Sequence, residues 1–204
     1  MDLHQTYNRI AEDWNKDHAN DTWWNMGTNH FLSLLKPGSR ILDVGCAGGI
    51  KTKYLVGHGM NAEGIDFSES MIEIAKRTYS EIPFEVMDIY DISRTVGLFD
   101  GIFVQAVLLH IPKTDVLRVV RGLIEKLNPG GLLYVAVKEQ REGNPEEALV
   151  TENDYGYDYQ RFFSFYTLEE LERLMTQAGL NVVYANISPI GSTRWIEMIG
   201  KKTA

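Results

Sequence analysis

Residues 41–50 read ILDVGCAGGI: an apolar run ends in Asp43 and is followed by Gly45, Cys46, Ala47, Gly48 and Gly49. Glycines in such a loop admit positive φ and leave bare backbone against which a ligand can rest. A dinucleotide fingerprint requires G-x-G-x-x-G. Gly45 fills its first place, but Ala47 and Ile50 stand at the other two, so a pyrophosphate would meet a β-carbon. No Gly-Lys-Ser/Thr follows, which excludes the phosphate loop of nucleotide triphosphatases. Asp-x-Gly-x-x-x-Gly is intact as Asp43, Gly45 and Gly49. Two more aspartates end later apolar runs: Asp66 in NAEGID and Asp88 in FEVMDI. Carboxylates so placed accept hydrogen bonds from sugar hydroxyls and amino groups. Asp66 lies 23 residues beyond Asp43, near the roughly 20 that separate a glycine loop from its ribose carboxylate.

Other side chains could act on a second molecule. His110, two residues before Pro112, is a candidate base or orienting group. Arg161 is a candidate anchor for an anionic substrate group, and Tyr157 lies in the same aromatic stretch. The five histidines, at 4, 18, 30, 58 and 110, show no metal-ligand spacing, so no metal site is expected. Tyr134 and Lys138 form the Tyr-x-x-x-Lys pair of some NAD dehydrogenases. That pair requires one helix face, whereas LLYVAVK reads as a buried strand.

The elements that must hold these residues alternate. RILDV (40–44), NAEGID (61–66), FEVMDI (84–89), FDGIFVQAV (99–107) and LLYVAV (132–137) read as buried strands. Between them KTKYLVGHG, SESMIEIAKRTYS and TDVLRVVRGLIEKL read as helices, the last two amphipathic. Strand, helix, strand at this spacing predicts a parallel sheet covered on both faces. Thr167 and Glu170 form a capping-box signature ahead of a further helix, which Gly179 stops. LNVVYANI (180–187) and WIEMIG (195–200) follow with no helix between them and pair most simply as an antiparallel hairpin. The fold class is therefore α/β, a doubly wound, mostly parallel seven-stranded sheet with one antiparallel strand near its edge. A single domain over 1–204 is expected: a helical, aromatic-rich cap (1–36), a core (37–138), a lid or substrate insertion (139–166), and a C-terminal helix and hairpin (167–204). The insertion exceeds the usual two to six residues of such a link, and its Tyr and Phe content argues against disorder.

Taken together these segments resemble the class I S-adenosylmethionine-dependent methyltransferases, whose fold is Rossmann-like. LDVGCAGG is similar to their motif I. GIDFSESMIEIAK (64–76) resembles the segment after the second strand, FEVMDI the third, FDGIFVQAVLLHIP (99–112) motif IV, and LNPGGLLYVAV (127–137) the strand that follows. The departure is Ala47, where the family commonly has the middle glycine of its loop. The resemblance implies S-adenosylmethionine as cofactor, lying against Asp43, Gly45, Cys46, Ala47, Gly49, Asp66, Phe67, Met71, Asp88, Ile89 and Gln105. Tyr7 and Trp14 would close over it, Tyr7 near the methionine carboxylate. It implies in-line methyl transfer to a small-molecule acceptor, with His110, Arg161 and Tyr157 on the acceptor side. A tRNA or protein methyltransferase on the same core is the alternative, and a non-catalytic S-adenosylmethionine-binding protein the third.

Charge and composition bound the partners. The formal net charge is −8, which suits a cationic cofactor. Lys51 with Lys53, Lys76 with Arg77 and Lys201 with Lys202 make no basic stripe, which disfavours nucleic acid. No apolar run approaches the roughly 20 residues of a membrane span, and MDLHQTYNRIAEDWNKD lacks the apolar stretch of a signal peptide. Cys46 is the only cysteine and reads as a small buried filler. A reducing, cytoplasmic location is expected. Oligomeric state is left open.

Overall fold

The computed structural model describes residues 2–203. β1 (Arg40–Val44), β2 (Asn61–Asp66), β3 (Phe84–Val86), β4 (Phe99–Gln105), β5 (Leu127–Lys138), β8 (Leu180–Ile190) and β9 (Thr193–Lys202) form one seven-stranded sheet. The order is β3-β2-β1-β4-β5-β9-β8. β1 pairs in parallel with β2 and β4, and β4 with β5. β9 runs antiparallel to both β5 and β8, as the missing helix between the last two strands predicts. The central strands are apolar without alternation because both faces are covered; Ile41, Leu42, Ile102, Phe103, Val135 and Ala136 have no exposure. β8, at the edge, mostly alternates half-buried and exposed residues instead.

Helices cover the sheet. α3 (Ile50–Gly57), α4 (Glu69–Thr78), α5 (Lys113–Glu125) and α6 (Leu168–Gln177) link the strands, while α1 (Leu3–His18) and α2 (Asn25–Ser33) precede them. The strand order reverses beside β1: the chain steps from β1 to β2 and β3 on one side, then returns to β4 on the other. A crevice opens at such a switch point, outside the carboxyl ends of the strands. The loops after β1 and β4 meet there, since a Cβ on Gly45 would lie 2.3 Å from Val107 Cγ2.

Three local readings change. FEVMDI is a strand only over Phe84–Val86; Asp88 leaves the sheet and caps a 3-10 turn, Ile89–Arg94, by accepting from the Tyr90 N–H. β4 stops at Gln105 because Ala106 turns to φ +60°. The capping box at α6 is half made. Thr167 accepts from the Glu170 N–H, but the Glu170 carboxylate pairs with Lys113 at 2.8 Å. Within 139–166 the chain folds as a separate antiparallel hairpin, β6 (Glu147–Glu152) and β7 (Tyr159–Ser164).

Candidate active site

A cavity of about 580 Å³ lies at the carboxyl ends of β1, β2, β4 and β5. The loops after β1 and β4 line it, as do Asp66, Phe67, Asp88, Ile89, Gln105, His110 and Lys138. α1 and the segment after it add Tyr7, Trp14, His18, Trp23 and Trp24, and β7 adds Arg161 and Phe163.

On one side the glycine loop meets Asp66. The Asp66 carboxylate is nine-tenths buried and accepts from the Ala47 N–H at 3.0 Å and the Ser68 N–H at 2.9 Å. Burial nevertheless pushes its pKa up to about 6, against the pull of those two bonds. Ala47 takes φ +48°, the left-handed region a glycine would enter freely, so alanine keeps the loop's shape at a cost in strain. Gly49 caps α3 at φ +84°, with Phe84 and Ala75 close behind it. Asp43 sits beneath the loop, 1% exposed, and accepts from the Thr52 hydroxyl at 2.7 Å. Its pKa also rises to about 6, again through burial.

On the other side a polar chain runs from α1 to the hairpin. The His110 Nδ1 lies 2.7 Å from the Phe162 carbonyl, which can only accept, so Nδ1 carries the proton. Nε2 is left as an acceptor, and the Tyr7 hydroxyl donates to it at 2.8 Å. Burial holds the imidazole neutral, with its pKa pushed down to about 3. Burial also raises the Tyr7 phenol, although Arg161 beside it pulls the other way. Arg161 donates to the Tyr7 oxygen at 3.3 Å and forks onto Glu152 through two bonds of 2.5 Å. Lys138 lies over the Phe163 ring, 4.1 Å from its centroid.

α1 is clamped across this site by its own polar residues. Asn8 accepts from the Ser68 hydroxyl and the Ser70 N–H at the start of α4, and donates to Glu69. Asn15 donates to the Ala11 carbonyl, and its Oδ1 would lie 1.8 Å from a Cβ on Gly48. Thr6 and Arg9 donate to the carbonyls of Gln160 and Asp158 in the hairpin segment.

The profile of a methyltransferase-domain family matches residues 18–185, well over half of the chain. The chain belongs to that methyltransferase family. A ubiquinone biosynthesis O-methyltransferase of Coxiella burnetii is 32% identical over 130 residues, 55% of this chain and 55% of its own length. One from Xanthomonas campestris is 29% identical over 105 residues, 49% of this chain and 43% of its own length. The chain thus spans about half the length of the curated relatives it matches. Among solved structures, the 1,6-didemethyltoxoflavin-N1-methyltransferase of Burkholderia thailandensis, with bound 1,6-didemethyltoxoflavin and S-adenosylhomocysteine, is similar at TM-score 0.79 and 19% identity. That match covers 99% of this chain and 88% of the other. A magnesium protoporphyrin IX methyltransferase of Synechocystis, with bound S-adenosylmethionine, gives 0.75 at 14% identity, covering 98% and 95%. These likenesses establish the class I methyltransferase fold, with the seven-stranded sheet and one antiparallel strand expected from the sequence.

The residues singled out in the sequence divide into two groups. Tyr7, Trp14, Gly45, Ala47, Asp66, Phe67, Asp88, Ile89, Gln105, His110 and Arg161 line one cavity. Asp43, Cys46, Gly49, Met71 and Tyr157 do not. Asp43, Gly49 and Met71 support the loop or α1 from behind. Cys46 packs among Ile72, Ala75 and Phe84, the filler that a lone cysteine suggests. Tyr157 bonds Asp13 and carries Arg9 over its ring, away from the cavity lining. Tyr7 bonds His110 instead of standing free for a carboxylate. Arg161 reaches the cavity already paired with Glu152. Glu152, Asn8, Asn15 and Lys138 were not foreseen. For Lys138 a signal existed: it ends a buried strand at the sheet edge where ligands bind. No described helix is long and apolar enough to cross a membrane.

Proposed function

We propose that the protein transfers a methyl group from S-adenosylmethionine to a small-molecule acceptor that carries an anionic group. The observation carrying this reading is one cavity holding Asp66 beside the glycine loop and a neutral His110 opposite. The residues fit the cofactor. Asp66 keeps lone pairs beyond its two backbone bonds for ribose hydroxyls. Asp88 keeps one oxygen free of its capping bond for an adenine amino group. Gln105 is 3% exposed and lines the cavity with neither amide heteroatom paired, a buried polar group that a ligand would satisfy. No phosphate must be cradled, so Ala47 is tolerable where a dinucleotide loop needs glycine. S-adenosylmethionine supplies the methyl group as an electrophile on its sulfonium.

The chain's own part is alignment and exclusion of water. A histidine whose pKa lies near 3 is a weak proton acceptor, and both ring nitrogens of His110 are bonded within the protein, so it shapes the acceptor side of the cavity and does not store a proton. Tyr7 fixes that geometry from α1, and Arg161 holds Tyr7. The names of the relatives, which concern small molecules, support a small-molecule acceptor. Tyr7→Phe and His110→Asn are expected to lower kcat about 10- to 100-fold, the cost of a misplaced reactant, while the S-adenosylhomocysteine Kd stays within about twofold. Methyl-labelled S-adenosylmethionine with a panel of aromatic acids, phenols and amines supplies the assay. Binding without turnover on any acceptor would favour a regulatory cofactor-binding protein, and salt-sensitive turnover on tRNA would favour the nucleic-acid reading.

A further inference from the structure

The cavity contains a cation that no ion pair or hydrogen bond holds among the described residues. Lys138 ends β5, in register with Trp195 on β9. Among the described residues its ammonium has no carboxylate within 4.0 Å and no hydrogen-bond acceptor; its neighbour is the Phe163 ring, 4.1 Å from the Nζ. An aromatic face supports a cation without neutralising it. Two other long-chain cations line the cavity. Arg161 is forked onto Glu152. Lys51, on the glycine-loop side, is like Lys138 in no ion pair or hydrogen bond among the described residues, and Asp43 and Asp21 oppose the downward pull of burial on its pKa. A half-buried cation facing a second cation is costly until an anion joins it. Burial and the Arg161 charge depress the Lys138 pKa, while Glu152, already forked onto Arg161, pulls the other way.

The walls around it are flat and aromatic. Phe163 lies beneath the ammonium, and Trp195, the register partner, stacks on Trp23 at 4.5 Å and 24°. All three rings line the cavity. Rigid aromatic faces select a planar apolar body and cost little ordering entropy.

We propose that Lys138 is the anion-recognition residue of the acceptor pocket and that the acceptor is a planar aromatic acid, ionised before it enters. The inference rests on the methyltransferase reading and specifies its substrate class. It fits a site in which His110 is a poor base: an acceptor whose reacting group is already ionised needs no proton removed, and Lys138 supplies the counter-charge.

The test is calorimetry at pH 7.5 on protein saturated with S-adenosylhomocysteine. The probes are 2-naphthoate, its neutral isostere 2-naphthamide, and octanoate as a non-planar acid. Naphthoate is expected to bind at least about 10-fold tighter than naphthamide, the scale of one charge-assisted contact, and tighter than octanoate. K138M should abolish the acid preference, K138R should retain it, and K51M should leave it unchanged. Equal affinity for acid and amide overturns the proposal. So does a preference that survives K138M or disappears in K51M, tighter binding of octanoate, or no saturable naphthoate binding at millimolar concentration. S-adenosylhomocysteine binding is measured first on every variant. Its absence from the wild type defeats the methyltransferase reading itself, which separates the two failures. If K138M does not fold, K138Q and the acid-amide comparison on the wild type still decide.

Discussion

Ala47 shows what a single methyl group does in a binding loop. At φ +48° it occupies a conformation that costs an L-residue about 1–2 kcal/mol, yet its N–H is a fixed donor to Asp66. Ala47→Gly removes that strain and adds unfolded-chain entropy of about 0.5–1 kcal/mol. A net gain of about 0.5–1 kcal/mol and a Tm higher by about 1–3 °C are expected; a lower Tm would mean the methyl group makes contacts worth more than the strain. The sequence made the departure at Ala47 visible and left its geometry open, because only the folded loop shows which φ the position takes. It likewise marked His110 but not its partner. The Tyr7 bond joins residues 103 positions apart, and no local pattern announces it.

At the scale of elements, α1 and the β6–β7 hairpin form the roof of the cavity and are fastened to each other and to α4. The fastening uses polar residues that look solvent-facing in sequence: Asn8 at α4, Asn15 on Gly48, Thr6 and Arg9 on the hairpin. Helical periodicity and aromatic content indicated a cap and an insertion. The pairing of Arg161 with Glu152 across the hairpin was not legible, because the register of a hairpin is set by its turn and loop length, and neither strand reads as one in the sequence. Gly48→Ala tests the fastening. Its Cβ would displace Asn15 from the loop, so faster proteolysis within residues 1–20 and weaker S-adenosylhomocysteine binding are expected, with thermal stability of the core lowered by no more than about 1 kcal/mol. Unchanged proteolysis and affinity would show that α1 holds without that contact.

For the whole molecule the class of sheet, mostly parallel with one antiparallel strand, was the most legible feature. Buried runs, helix patterns and the late hairpin fix a doubly wound sheet, and the switch point then fixes where a ligand must lie. The same burial that builds the site governs its response to acid, with opposite signs for different groups. His110 falls to about 3 in the fold from an ordinary 6.5, so the unfolded chain takes the proton first. The stability it contributes is complete above pH 6.5 and is lost as the pH falls towards 3. Asp43 and Asp66 rise to about 6 from 3.8, so their contribution is complete below pH 3.8 and is lost as the pH rises through 6. His110→Gln should therefore lose less Tm than the wild type between pH 7 and pH 5 in scanning calorimetry, and an equal or larger loss would contradict the assigned neutral imidazole. The central claim is that the cavity at the carboxyl ends of β1 and β2 holds S-adenosylmethionine through Asp66. It is tested most directly by titrating S-adenosylhomocysteine into the wild type, Asp66→Asn and Asp66→Ala at pH 7.5, with circular dichroism to confirm folding. Saturable binding to the wild type is expected, weakened about 100-fold in the alanine variant, as the loss of charged hydrogen-bond acceptors implies. Wild-type affinity in a folded Asp66→Ala protein, or no binding to the wild type, would contradict it.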